Sequence, residues 1–210
     1  MKDYKKYIFD VDYTILIPDW SKEDDYFKEH ILENEQEEFF KNKQSILNKY
    51  EQEFPRYNTK TLSDYFKSYG FTVSEDTING WMIYNGETIK DEVVDGVVDL
   101  FKYLKENNKE IVILTSWFSG TQIPRLKRAG LFNYIDKIVA GEDAMKPGLE
   151  SFELAIDGTN KKDCIMIGDS IRSDKVGADN ALIDSYIVDK KNTIRNLYNM
   201  IIGEKYENKK

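Results

Sequence analysis

The stretch Tyr7-Ile8-Phe9-Asp10-Val11-Asp12-Tyr13-Thr14-Ile15-Leu16 decides how the rest of the chain is read. It is apolar up to Asp10 and then delivers two carboxylates and a hydroxyl at alternate positions. A hydrophobic core needs no such pattern. In a β-strand successive side chains alternate faces, so Tyr7, Phe9 and Val11 fall on one side and Ile8, Asp10 and Asp12 on the other. A strand ending at Asp10 sets the carboxylates at its carboxyl end, where open α/β sheets place their ligands. The competing reading is a strand followed by an acidic turn, and the remaining sequence decides between them.

Downstream of Leu16 the character changes. Pro18 breaks the pattern, and Asp19 to Asn85 is rich in Glu, Lys, Gln and aromatic residues, which reads as helices. Ser21 is the expected N-cap of a first helix through Phe27, Ile31 and Leu32. Phe39, Phe40, Ile46, Leu47 and Tyr50 continue apolar contacts at helical intervals until Phe54-Pro55. Thr59 or Thr61 starts another helix closed by Gly70, and a further one runs from Ser74 towards Tyr84. No strand of length is expected here. From Pro18 to Lys90 fifteen acidic residues face nine basic ones, so this segment carries most of the negative charge, chiefly as solvated surface. Its aromatic residues, Trp20, Tyr57 and Trp81 among them, are expected chiefly to form a small core of its own, with a few left to face a cleft.

Beyond Gly86 helices and strands alternate. Val94, Val97, Val98, Phe101 and Leu104 form one helical face, and strands are expected at Ile111–Thr115, Ile138–Ala140, Cys164–Ile167 and Tyr186–Val188. The last helix starts near Thr193 and stops at Gly203, leaving Glu204 to Lys210 as a charged tail. Such alternation argues for a doubly wound parallel sheet covered on both faces. The expected organisation is an α/β core from residues 1–17 and 91–210, with an all-α segment, 18–90, inserted directly after the first strand. Both ends of that insertion then sit beside the carboxylates, as a lid would.

The totals narrow the function classes. The chain has 210 residues, 40% of them hydrophobic, and a formal net charge of −8, which argues against a sequence-independent grip on nucleic acid or an anionic membrane. One cysteine, Cys164, excludes an internal disulfide framework and fits a core position in a reducing compartment. The one histidine, His30, rules out multi-histidine metal sites and reads as solvated. The N-terminus lacks a secretory apolar region and no apolar run is long enough to span a bilayer, so a cytoplasmic location is expected.

Four polar signals fall at or just after strand carboxyl ends: Asp10 and Asp12, Thr115-Ser116, Lys146, and Gly168-Asp169 with Asp174. Carboxylates converging on one point repel unless a cation holds them. Oxygen-only ligation of this kind suits Mg²⁺, which takes one or two protein carboxylates plus a substrate phosphate. Lys146 adds a point charge and Thr115 a hydroxyl, with backbone N–H groups after it, which together describe a phosphate cradle. One carboxylate then attacks phosphorus while the second protonates the leaving oxygen and later deprotonates water. Asp10, at the strand end, is the nucleophile candidate, and Asp12 the acid/base.

With these residues in order, the chain resembles the haloacid dehalogenase superfamily of Mg²⁺-dependent phosphohydrolases. Asp10-Val11-Asp12-Tyr13-Thr14 is similar to its first motif, Ile113-Leu114-Thr115-Ser116 to the second, Lys146-Pro147 to the third and Gly168-Asp169 followed by Asp174 to the fourth. The resemblance runs from Tyr7 to about Asp189 and implies a Rossmann-like core with a helical cap between the first two motifs. It implies a phosphorylated Asp10, phosphate contacts from Thr115, Ser116 and Lys146, and Mg²⁺ held by Asp10, the Asp12 carbonyl oxygen and Asp169, with Asp174 ligating directly or through water. Members named for dehalogenation usually lack the second aspartate, so Asp12 points to a phosphate substrate. Tyr13, Ser116-Trp117 and Gly148 depart from the commonest pattern and leave the substrate class open, with Tyr13 and Trp117 expected to border the pocket. The general look is of the subfamily with phosphoglycolate phosphatases, pyrimidine nucleotidases and β-phosphoglucomutases. The expected activity is phosphatase on a small phosphorylated metabolite such as a nucleotide or sugar phosphate. The alternatives are a phosphomutase or a catalytically weak phosphate-ligand-binding protein.

Overall fold

The computed structural model describes residues 1–207. Its strands are β1 (Lys6–Phe9), β2 (Leu16–Asp19), β3 (Lys90–Val93), β4 (Glu110–Leu114), β5 (Lys137–Val139), β6 (Cys164–Gly168) and β7 (Asp184–Ile187). Between β2 and β3 lie α1 (Asp25–His30), α2 (Gln36–Glu53), α3 (Thr59–Ser68) and α4 (Glu75–Thr88). After β3 come α5 (Val97–Glu106), α6 (Ser119–Arg128), α7 (Leu149–Ile156), α8 (Val176–Ala181) and α9 (Ile194–Glu207).

Five strands pair in parallel in the order β5-β4-β1-β6-β7. Strand β1 is central, with Ile8 opposite Val112 on one side and Met166 on the other. Side-chain alternation then sorts the strands' residues. Tyr7, Phe9, Ile111, Ile113, Ile165 and Ile167 pack with residues of α5, α6 and α9, whereas Ile8, Val112, Leu114, Cys164 and Met166 pack with residues of α7 and α8. Both faces are thus covered, as a doubly wound Rossmann-like sheet requires. The order turns back at β1, so the carboxyl end of β1 is the crevice such sheets use for ligands.

The segment between the first two sheet strands buries a separate cluster that includes Phe27, Phe39, Tyr50, Tyr57, Phe66 and Trp81. Phe118 and Met145, from the loops after β4 and β5, also enter it, so the helices rest on the sheet's ligand-binding edge. Asn58 and Ser74 cap α3 and α4 through their side chains, each accepting a backbone N–H at 3.0 Å. Helix α4 lies close against α6. Pro124 has no N–H to give the Gly120 carbonyl four residues earlier, and a Cβ on Gly86 would come within 2.7 Å of that oxygen. Thr121 Oγ1 donates to Met82 O at 2.9 Å and Arg128 Nη2 to Ile89 O at 2.8 Å, fastening the same seam.

Several local expectations are corrected. Ser21 is not an N-cap: it lies in a short 3-10 turn capped by Asp19, with Ser21 N donating to Asp19 Oδ1 at 3.0 Å. As expected, Trp20 to Ile89 holds no strand, but an unforeseen short ribbon closes the two ends of the helical stretch. The antiparallel ribbon of β2 with β3 carries Pro18 opposite Asp91, and a proline in one four-residue strand and charges through most of the other leave no alternation to read. Strand β7 starts at Asp184, two residues before the expected Tyr186. Gly203 does not stop the last helix, which continues to Glu207 because Ile194, Leu197 and Ile201 anchor it to the sheet. Asn208 to Lys210, part of the expected tail, lie outside the described residues. His30 is exposed, stacked on Tyr26 with ring centroids 3.9 Å apart, and Cys164 is buried. No helix among the described residues is long and apolar enough to cross a membrane.

Candidate active site

Strand β1 ends at Phe9, but the ladder continues one residue further, with Asp10 N donating to Ile167 O at 2.9 Å. The chain then turns sharply. Val11 O accepts from Ile15 N and Leu16 N, both at 3.0 Å, and Tyr13 N donates to Leu16 O at 2.7 Å. Tyr13 takes a left-handed backbone at φ 60°, a conformation that costs a residue with a Cβ about 1 kcal/mol. Val11 and Ile15 are fully buried and hold the turn closed, so Asp10 and Asp12 leave the strand in fixed and different directions.

Asp10 enters a buried ionic cluster. Lys146 Nζ lies 2.7 Å from Asp10 Oδ1 and 2.6 Å from Asp174 Oδ1, while Ser170 N donates to Asp174 Oδ2 at 3.0 Å. Asp174 reaches this position over Gly168, where a Cβ would stand 2.1 Å from Asp174 Oδ2. Carboxylate oxygens of Asp10, Asp169 and Asp174 lie within 4.8 Å of one another. Burial raises the Asp10 carboxyl well above the ordinary range; Lys146 opposes the shift and Asp174 adds to it. Asp169 is raised too, by burial and then by Asp174. Burial alone would lower Lys146, yet Asp10 and Asp174 hold it above the usual ammonium value. Three carboxylates against one ammonium leave the cluster short of positive charge. Hard oxygen donors in a Gly-permitted cradle fit a divalent cation of the Mg²⁺ type.

Asp12 stands outside that cluster. Arg125 Nη2 donates to its Oδ1 at 2.7 Å and Gln122 Nε2 to its Oδ2 at 2.8 Å, both from α6. Thr115 Oγ1 accepts from Trp117 N and from Gln122 Nε2, each at 3.2 Å, so its own proton is left to donate. One backbone N–H expected for the phosphate cradle, that of Trp117, is therefore spent on Thr115. Ser116 Oγ accepts the Lys146 backbone N–H at 3.3 Å and ties the lysine's loop to the end of β4.

Asp10, Asp12, Thr115, Ser116 and Lys146 line a single cavity of about 880 Å³, and Asp169 and Asp174 join Asp10 in the acidic cluster. Tyr13 and Trp117 border the same cavity. Its opposite wall comes from the inserted segment: Trp20, Glu23, Gln44, Leu47, Glu51 and Gln52. Trp20 is one of the segment's aromatic residues that face the cleft and not the segment's core. Glu51 accepts the Tyr57 hydroxyl at 2.7 Å, and Glu23, raised by burial, lies 3.2 Å from Lys43.

Sequence reasoning missed Gln122, Arg125 and Asp91. The signal available was thin: Gln122 and Arg125 are three apart on one helix face, a spacing that ordinarily marks a solvated side.

With this geometry in place, the chain can be set beside known proteins. A family model described as haloacid dehalogenase-like hydrolase matches residues 7–188. Pyrimidine 5'-nucleotidase YjjG of Escherichia coli (strain K12) is 36% identical over 91 residues, covering 41% of this chain and 40% of that protein. Pyrophosphatase PpaX of Halalkalibacterium halodurans is 34% identical over 101 residues, 46% of each chain. The matched stretch thus spans less than half the length of either relative. The magnesium-bound structure of YfnB from Bacillus subtilis superposes with a TM-score of 0.67 at 23% identity, covering 95% of this chain and 99% of that one.

Proposed function

Since the chain belongs to the haloacid dehalogenase-like hydrolases, matched over residues 7–188, we propose that it is a Mg²⁺-dependent phosphatase of small phosphomonoesters that works through a phospho-aspartate on Asp10. The observation that carries this reading is the division of labour between two carboxylates two residues apart. Asp10 sits with Lys146 and the acidic cluster, whereas Asp12 is turned away to donors on α6. A nucleophile must lie beside the phosphate and its counter-charges; an acid/base must stand to one side, facing the leaving group.

In this reading Lys146 and the Thr115 and Ser116 hydroxyls bind the phosphate oxygens and orient phosphorus towards Asp10 Oδ. The Asp10–phosphorus bond forms as the ester bond breaks, and Asp12 gives its proton to the leaving oxygen. Asp12 then takes a proton from the water that attacks phosphorus, which frees Asp10 and releases inorganic phosphate. Asp10 and Asp169, the Asp12 carbonyl oxygen, and Asp174 directly or through water would hold Mg²⁺. The ion would neutralise phosphate charge that the protein's net charge of −8 otherwise repels.

Residues 18–90 act as the cap and residues 1–17 with 91–210 as the catalytic core. The cap wall of the cavity offers Glu23 and Glu51 and no Lys or Arg, a poor seat for a second phosphate. That favours a leaving group that is uncharged where it meets the cap, as in a nucleotide or sugar phosphate; Arg172, on the core side of the same cavity, is among the described residues the lining's one cation besides Lys146, so a second phosphate would have to seat there and not on the cap. Trp20, Trp117 and Tyr13 offer faces for a ring, and Gln44 and Gln52 hydrogen bonds to it. A phosphate-release screen over nucleoside monophosphates and sugar phosphates tests the reading. Release of inorganic phosphate that requires Mg²⁺ supports it, and isomerised ester with little free phosphate would contradict it.

A further inference from the structure

Arg125 is the most deeply buried cation of the site: its side chain has no exposed surface, while those of Asp91 and Asp12 keep 6% and 22% of theirs. All three nitrogens of its guanidinium donate hydrogen bonds. Nη2 donates to Asp12 Oδ1 at 2.7 Å and to Asp91 Oδ1 at 2.6 Å, Nε reaches Asp91 Oδ2 at 3.1 Å, and Nη1 donates to Gln122 Oε1 at 2.7 Å. The guanidinium carbon lies 5.3 Å from the centroid of the Trp20 ring. Asp91 is on β3 and Trp20 opens the turn after β2, so Arg125 is held by β3 of the ribbon that joins the inserted helices to the sheet and by the turn that leaves its other strand. Gln122, held by Arg125, in turn bridges Asp12 and Thr115.

We propose that Arg125 is a positioning residue for Asp12: anchored on Asp91, it fixes with Gln122 the orientation from which the Asp12 carboxyl exchanges protons with the leaving oxygen and the attacking water. This rests on the acid/base role given to Asp12 above. A carboxylate oxygen has two lone-pair directions, so either oxygen can keep its α6 donor while the group still faces the cavity. The reaction it serves balances within the site. The ester P–O bond breaks as the Asp10–phosphorus bond forms, the leaving oxygen takes the Asp12 proton, and water returns one to Asp12 as it displaces Asp10. Arginine suits the task, since its planar fork fixes direction as well as charge and it stays protonated throughout. A guanidinium that merely ties α6 to the ribbon would stabilise the fold and leave the proton transfer untouched. The two roles differ in what their loss does to different leaving groups.

The test is the dependence of kcat/KM on leaving-group acidity over a series from p-nitrophenyl phosphate to alkyl phosphates. General acid catalysis helps poor leaving groups most, and its loss falls there, by as much as about 100-fold or more. Asp12→Asn sets the slope without the acid. Arg125→Lys, Gln122→Leu and Asp91→Asn are each expected to lose at least about tenfold more kcat/KM on alkyl phosphates than on p-nitrophenyl phosphate. Arg125→Lys should keep more than Arg125→Ala. A loss by the same factor on every substrate overturns the proposal. Where Arg125→Ala does not fold, Arg125→Lys and Asp91→Asn decide, with thermal melts showing that they are folded. Failure of the underlying reading looks different: Asp10→Asn would stay active, or wild type would already share the steep slope of Asp12→Asn.

Discussion

On one side of the cavity, Asp10 and Thr115 each stand immediately after a strand of the parallel sheet, Lys146 follows β5 by a short loop, and Asp169, directly after β6, joins Asp10 in the acidic cluster. On the other side, Trp20 and Glu23 come from a 3-10 turn and its end, and Gln44, Leu47, Glu51 and Gln52 from one face of α2. The sheet side is dense with ionic contacts between buried groups, such as Lys146 with Asp10 and Asp174. The helical side pairs its acids sparingly, Glu51 with a tyrosine hydroxyl and Glu23 with Lys43. A parallel sheet forces chemistry-bearing residues to its carboxyl edge, whereas a helix can present almost any residue to a cavity without disturbing its fold. The sheet side is accordingly where changes should abolish the reaction, and the helical side where they should redirect it.

The largest effect is expected from Asp10→Asn, which leaves the shape intact and removes the proposed nucleophile; turnover should fall by more than about a thousandfold. Residual activity near wild type would show that the sheet edge is not where bonds are made. Chelation comes next. EDTA should stop hydrolysis of p-nitrophenyl phosphate and excess Mg²⁺ restore it, because the cluster of Asp10, Asp169 and Asp174 lacks counter-charge. Turnover unchanged by EDTA would count against a metal in that cluster.

Gly168→Ala is subtler. The added Cβ would collide with the Asp174 carboxylate, and relieving an overpacked site of this kind costs about 1–3 kcal/mol. A lower Tm together with weaker Mg²⁺ dependence is expected, and a variant that melts and binds Mg²⁺ like wild type would show that the cradle tolerates a side chain. The smallest effect belongs to the helical wall. Glu51→Lys should leave p-nitrophenyl phosphate turnover nearly unchanged and raise kcat/KM a few-fold for esters whose leaving group carries an anion, an advantage that fades with added salt. No change in preference would place specificity on the core loops instead.

The contrast between the two sides also explains what could be read in advance. Short apolar runs such as Ile111 to Leu114 and Cys164 to Ile167, recurring between helical patterns, are what a sheet covered on both faces imposes, and Tyr7 to Asp12 ends such a run in two carboxylates, so fold class and strand positions were legible. Residues just after those runs were legible as candidates for the same reason. The ribbon was not, because Leu16–Asp19 contains a proline and Lys90–Val93 is mostly charged; its pairing is set by the chain's return and not by hydrophobic pattern. Ser21 misled because Asp19, two residues earlier, serves its N–H instead. Gly203 misled because packing of Ile194, Leu197 and Ile201 outweighs one unfavourable helical glycine, worth about 1 kcal/mol. Arg125 stayed hidden for a deeper reason. Its partners Asp12 and Asp91 are 113 and 34 residues away, and only the folded chain shows that this one charge of a basic helix is buried.

The central claim is that Asp10 carries the phosphoryl group between substrate and water. Asp12→Asn should still let a good leaving group depart while slowing the attack of water, so the intermediate accumulates. Acid-quenched Asp12→Asn protein, incubated with p-nitrophenyl phosphate and Mg²⁺ and analysed by peptide mass spectrometry, should carry a phosphoryl group on Asp10. Phosphate release with no label on that residue, or with the label on another side chain, would contradict the account.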